Sequence, residues 1–194
     1  MRQMLATKAA GAGAATEYDP QEEENGRFWI TFEDFTQYFS TIFVCRLLDS
    51  WRGRHELASS WGARHGAGGR LNGPTGTDNP QYLVTVTRAT NLFVTLTQAT
   101  YDDEECTFIG MALLQPTRRR AFVKGLASAD LKTATSVKTV APADEAQVAL
   151  EVLTLEPGEY VLVVCTYYPN LCRDFVLRAY TPEMDSVGVK QLRV

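Results

Sequence analysis

Tyr82-Leu83-Val84-Thr85-Val86-Thr87 and, after one further residue and Ala89-Thr90-Asn91, Leu92-Phe93-Val94-Thr95-Leu96-Thr97 decide the fold. In the first run Tyr82, Val84 and Val86 alternate with Leu83, Thr85 and Thr87. In the second, Leu92, Val94 and Leu96 alternate with Phe93, Thr95 and Thr97. A period of two puts successive side chains on opposite faces, which is the signature of a strand. Ala89-Thr90-Asn91 supplies the turn between them. Downstream, residues 106–114, 120–125, 147–155, 158–166 and 173–180 read as further strands, with Pro157-Gly158 as a turn signal. Residues 126–145, which contain Val137 and Val140, read as a less regular connection. Thr, Val, Tyr and Phe runs separated by short polar breaks predict a mainly β fold. We expect an antiparallel β-sandwich of about eight strands over residues 81–181, with 182–194 leaving the sheet as a polar tail.

Upstream the pattern differs. Thr31 is placed to cap a helix, with Asp34 in its first turn and Phe32, Phe35, Phe39 and Ile42 at helical spacing. Phe28, Trp29 and Ile30 precede it in extended form, and residues 42–48 read as a following strand. This helix-containing extension, residues 27–50, is too small to stand alone and must pack on something larger. Residues 51–80 read as an irregular connection, with Trp51 and Trp61 set among Arg, His and Gly. The run Gly66-Ala67-Gly68-Gly69 lacks the Lys-Ser or Lys-Thr of a phosphate-binding loop and reads as a turn. Residues 1–26 join an Ala/Gly run to an acidic segment and are expected to be flexible or ordered by a partner.

Composition narrows the function classes. The chain has 194 residues, 45% of them hydrophobic, enough for one real core. With 23 acidic against 19 basic residues its formal charge is -4, which argues against nucleic acid as a partner. No segment is long and apolar enough to span a bilayer, and no secretory signal stands at the start, so a cytoplasmic location is expected. Cys45, Cys106, Cys165 and Cys172 match no compact zinc pattern. Cys165 and Cys172 flank a turn with Tyr167, Tyr168 and Pro169, where either a disulfide or two free thiols fit. His55 and His65 are the only histidines and are too few for a zinc site. A thiol nucleophile needs a contacting base and an orienting third group, and the spacing supplies neither.

One segment carries most of the charge pattern. Asp102, Asp103, Glu104 and Glu105 precede the strand 106–114, and Arg118, Arg119 and Arg120 follow it. Clustered carboxylates are hard oxygen ligands that suit calcium, provided another loop contributes, with Asp78, Asp174 or Glu159 as donors. The alternative is a solvated acidic turn that sets local potential. No cofactor is required on either reading. The arginine run pairs with acidic protein loops or phosphates, touches an anionic phospholipid surface, or merely solubilises a turn. Lys124, Lys132 and Lys138 extend that basic patch. Tyr167 and Tyr168 add exposed aromatic contact area.

Several motifs, in order, resemble the calpain family. Gly26-Arg27-Phe28-Trp29-Ile30-Thr31-Phe32-Glu33-Asp34-Phe35, continued by Phe39 and Ile42-Phe43-Val44-Cys45, resembles the end of the protease core. Trp61, Ala67-Gly68-Gly69 and Asn79-Pro80-Gln81-Tyr82 resemble the entry to the C2-like domain III. The segment from Cys106 through Arg120, Leu155-Glu156-Pro157-Gly158-Glu159-Tyr160-Val161-Leu162-Val163 and Asp174-Phe175-Val176-Leu177-Arg178 resemble its acidic loop, basic run and closing strands. The resemblance implies a C2-like sandwich with phospholipid and calcium response and contacts to a protease core. By resemblance, Asp102, Asp103, Glu104 and Glu105 take the role of the loop that holds the inactive arrangement. The family's Cys, His and Asn nucleophile machinery lies upstream in family order, and no residue here takes those roles. Arg70 stands where many members have Cys, and no EF-hand signature follows, so the chain looks nearer to atypical or protease-lacking members. The expected function is a non-catalytic regulatory or protein-interaction module. Its expected partners are other protein chains or an upstream protease core. The alternatives are a structural component of a cytoskeletal or ciliary assembly, and calcium-dependent cysteine protease activity belonging only to a longer parent.

Overall fold

The structure is a computed structural model and describes residues 29–42, 46–62, 64, 66–100 and 105–192. The chain divides into two compact units, Met1–Arg46 and Leu47–Val194.

The first unit contains helix α1, Phe32–Tyr38. Thr31 caps it as the spacing predicts: its Oγ1 accepts the Asp34 N–H at 3.1 Å and donates to Asp34 Oδ2 at 2.8 Å. Phe35 and Phe39 stack one turn apart, with centroids 4.9 Å apart. No residue of α1 is buried. The expected strand at 42–48 does not form where it is described. Ile42 and residues 46–48 belong to no strand, and Phe43, Val44 and Cys45 lie outside the described residues.

The second unit is an antiparallel sandwich of nine strands. They are β1 Gly53–Trp61, β2 Gln81–Val86, β3 Thr90–Gln98, β4 Phe108–Gln115, β5 Thr135–Asp144, β6 Gln147–Leu155, β7 Gly158–Thr166, β8 Arg173–Thr181 and β9 Val187–Gln191. One sheet has the order β1-β8-β3-β6 and the other β5-β4-β7-β2-β9. The inner faces enclose a core that includes Tyr82, Leu92, Leu96, Ile109, Met111, Leu150, Leu162 and Leu177. Trp61 ties the sheets together. Its ring lies 4.3 Å from that of Phe175, and its Nε1–H donates to the Val164 carbonyl of the opposite sheet at 3.1 Å.

β4 and β7 are buried along almost their whole length, which a strand with one solvated face cannot be. Their outer side chains, Ala112, Leu114, Val161 and Val163, lie under a second layer made of Leu71, Ala121, Phe122, Leu126 and Leu131. That layer includes the short helices α2, Ala121–Lys124, and α3, Ser128–Leu131.

Several sequence expectations need correction. Residues 51–80 are not wholly irregular: β1 pairs with β8 from Gly53↔Thr181 to Trp61↔Arg173. Its charged and small outward residues, and its place at a sheet edge, hide it from a hydrophobic pattern. Residues 120–125 form α2 rather than a strand, ended by Gly125 with φ 80°. Residues 126–145 hold α3 and β5. β5 is an edge strand whose two register shifts against β4 break the alternation that would reveal it. The tail does not leave the sheet either. β9 pairs with β2 from Tyr82↔Gln191 to Val86↔Val187.

Candidate interaction surface

β4 begins at one pole of the sandwich and ends at the other. Its first residue, Phe108, follows the acidic loop, and its last, Gln115, leads into the arginine run. Eight residues at about 3.3 Å each put these ends roughly 25 Å apart. Glu105, at the root of the acidic loop, and the arginine run therefore stand at opposite ends of β4.

The roots of the acidic loop are anchored. Gln98 Nε2 donates to the carbonyls of Thr107 and Glu145, both at 2.7 Å, and Gln98 Oε1 accepts the Thr107 N–H. The Ala99 N–H donates to the Asp174 carbonyl at 2.8 Å, and Arg173 Nη1 donates to the Ala99 carbonyl at 3.1 Å. Asp102, Asp103 and Glu104 lie outside the described residues, and Glu105 is exposed. Among the described residues no group of three or more His, Cys, Asp or Glu side chains is arranged to hold a metal ion.

Beside this loop stands an aromatic cluster. Phe108 and Tyr167 have centroids 5.8 Å apart, and Tyr167 meets Tyr168 edge-on at 4.9 Å. Arg70 lies over the Tyr167 ring at 4.6 Å, and its Nη1 donates to the Tyr167 hydroxyl at 3.4 Å. The sequence points to Tyr167 and Tyr168 as contact residues, and to Arg70 only as a departure from the family pattern. Arg70 is 97 positions from Tyr167, so no local spacing signals the pair.

The glycine run beneath Arg70 is shaped for packing. Gly69 has φ +72°, and a Cβ there would meet the Pro169 nitrogen at 2.8 Å. Asn79, fully buried, accepts the Gly68 N–H at 3.1 Å and donates to the carbonyls of Gly69 and Gly76 at 2.7 and 2.9 Å. Gln81 does the same for another loop, donating to the Thr77 carbonyl at 2.8 Å and accepting the Leu126 N–H at 2.6 Å. Two motifs met separately in the sequence, Ala67-Gly68-Gly69 and Asn79-Pro80-Gln81, are thus one hydrogen-bonded unit.

At the opposite pole Arg118, Arg119 and Arg120 are exposed at the start of α2. Arg118 Nε lies 3.8 Å from Asp130 Oδ1, too far for a hydrogen bond. Asp130, itself buried, spends its other oxygen on the Ala127 N–H at 2.9 Å. The arginines are not gathered with the aromatic cluster.

Cys106, Cys165 and Cys172 are free, so no disulfide joins the last two; Cys45 lies outside the described residues. Burial pushes the Cys165 thiol up to about 11, against a weaker opposing contact from the Leu71 backbone. His55 Nε2 sits 2.7 Å from the Val187 carbonyl and so carries its proton there, and His65 lies outside the described residues. No helix among the described residues is long and apolar enough to cross a membrane.

Comparison with known proteins agrees with this architecture. A family model described as calpain large subunit, domain III, matches residues 57–180. The calpain-1 catalytic subunit of Gallus gallus is 27% identical over 202 residues, covering 85% of this chain and 27% of that protein. The calpain-1 catalytic subunit of Macaca fascicularis is 31% identical over 207 residues, covering 87% of this chain and 27% of that protein. The chain thus spans about 27% of the length of these relatives. Among solved structures, the pre-peptidase C-terminal domain of a collagenase from Bacillus anthracis overlays with a TM-score of 0.38 at 16% identity, covering 66% of this chain and 89% of that chain, too distant to support any argument. From the matched span and the sandwich it forms, the chain belongs to the calpain large subunit, domain III family.

Proposed function

We propose that the chain is a non-catalytic regulatory or protein-interaction module of a calpain-type protein. The observation that carries this reading is that β4 separates Glu105, at the anchored root of the acidic loop, from the exposed Arg118, Arg119 and Arg120. Buried Gln98 fixes the roots of the acidic loop, and Arg118, Arg119 and Arg120 are exposed immediately before α2. Charges of opposite sign at the two ends of one strand suit docking of complementary charged segments, with electrostatics setting encounter and register. The buried Cys165 thiol and the occupied His55 nitrogen favour contact over chemistry. Calcium at the acidic loop is an additional proposal, and it would act by neutralising that pole.

The test is binding to a calpain-type protease core supplied in trans, measured at low and high salt, with and without calcium. Changing Arg118, Arg119 and Arg120 together to Ala should weaken association about tenfold at low salt and much less at high salt. Equal affinity of the variant and the parent at low salt would exclude the basic pole as a docking element. Casein cleavage by the chain alone that a thiol blocker abolishes would overturn the non-catalytic reading.

A further inference from the structure

The outer layer over β4 and β7 leaves a cavity of about 480 Å³, within the range that holds small organic ligands. Ala112 and Cys165 contribute to its apolar lining, Leu71 and Leu131 wall it, and Arg70 and Ser136, both exposed, stand at its rim. The cavity follows from the β4–β5 pairing. A register shift between Ile109 and Met111 lifts β5 out of regular alignment. Gly110 permits this, because a Cβ there would meet the Val140 carbonyl oxygen at 2.8 Å and the Pro142 nitrogen at 2.9 Å.

The charge at this apolar cavity is specific. Arg70 is the cation that lines it, and its plane is fixed by Tyr167 on one side. A guanidinium has five N–H donors, and the bond to the Tyr167 hydroxyl uses one, so donors remain for a second partner. A guanidinium held in place by stacking matches a carboxylate in two-point geometry. We infer that the cavity is a binding site for an apolar monocarboxylate, with the hydrocarbon body against Ala112, Cys165, Leu71 and Leu131 and the carboxylate on Arg70. Its lining shares no residue with the acidic loop or the arginine run, and the site does not depend on the docking role proposed above.

Cys165 gives a reporter inside the cavity. The experiment uses the full chain, decanoate and decanol below their aggregation limits, calorimetric titration, and modification of Cys165 by a small methanethiosulfonate read by mass spectrometry. Decanoate should bind saturably and slow Cys165 modification, while leaving exposed Cys172 unaffected. Decanol should bind about tenfold more weakly, since it keeps the tail and loses the charge. Arg70→Met should bring decanoate down to the affinity of decanol and leave decanol unchanged. Ser136→Trp, at an exposed rim position that tolerates bulk, should block both ligands with an unchanged melting temperature. Absence of saturable binding, or binding without protection of Cys165, overturns the site. Equal binding of decanoate and decanol, or an Arg70→Met variant that still prefers decanoate, overturns the carboxylate assignment.

Discussion

Gln98 and Thr107 exchange a pair of hydrogen bonds: Gln98 Nε2 donates to the Thr107 carbonyl at 2.7 Å, and the Thr107 N–H donates to Gln98 Oε1 at 3.1 Å. The carboxamide imitates a strand neighbour and closes the acidic loop at its base. It also reaches the Glu145 carbonyl, joining that loop to the β5–β6 turn. Gln98→Leu keeps the volume and strands three backbone groups. We expect a loss of about 3 kcal/mol in urea unfolding and faster amide exchange at Thr107. Unchanged exchange at Thr107 would show that the loop holds its shape without the carboxamide.

Arg118 and Asp130 should separate in a mutational test, although they lie near each other. Arg118→Ala removes a long, exposed contact and should change stability by less than about 0.5 kcal/mol. Asp130→Ala uncaps the Ala127 N–H in a buried position and should cost about 1 kcal/mol. Thermal melts of the two single variants decide this, and equal losses would contradict the assignment of Asp130 as a cap.

Gly110→Ala should be destabilising by about 1–3 kcal/mol, because the added methyl meets β5 backbone rather than a movable side chain. Gly188→Ala is the control, since a Cβ there meets nothing within 4 Å. Chemical denaturation of both variants should show the loss in the first alone.

Alkaline pH should unfold the sandwich earlier than exposed groups would require. Burial raises Cys165 from its usual 9.0 to about 11 and Tyr82 from its usual 10.0 to about 12. Between the usual and the raised value the unfolded chain has released a proton that the folded chain keeps. Stability is therefore full below pH 9 and falls as pH rises towards 12, by roughly 1.4 kcal/mol per pH unit and group at the steepest. Cys165→Ala should remove the lower part of this slope and Tyr82→Phe the upper part. Among the described residues the buried Tyr82 hydroxyl meets no partner at hydrogen-bond geometry, and its contact with Ser59 only weakly opposes the effect of burial, so Tyr82→Phe should also cost little near neutral pH. A denaturation midpoint flat from pH 9 to 11 would remove Cys165 from this role.

The sandwich was legible where a strand carries its own pattern. Tyr82, Val84 and Val86 announce β2 by alternation, and the long apolar run at 158–166 announces β7 by being buried on both faces. What stayed hidden lies at edges. β1 presents Arg54 and Glu56 outward and becomes a strand because β8 offers it a full ladder, a fact stored more than a hundred residues away. β5 hides behind its own register shifts, and β9 is too short for a period to show. The charged runs of the surface were legible as charges, since Arg118, Arg119 and Arg120 need no fold to be seen. The Arg70–Tyr167 stack was not, because it exists only after Asn79 has folded the glycine run against Pro169.

The first and last strands carry the chain into and out of the sandwich in opposite directions. β1 starts at Gly53, paired with Thr181 at the pole away from the acidic loop, and β9 runs from Val187 to Gln191 in the direction of the other pole. Tension applied through the flanking chain would therefore run along the strand axes and pull β1 and β9 in opposite directions. Both ladders would then be loaded in shear, with their hydrogen bonds sharing the force together instead of opening one after another as in an unzipped hairpin. Pulled at Gly53 and Gln191, the domain should therefore resist more force than a hairpin opened from its end, which single-molecule extension would read.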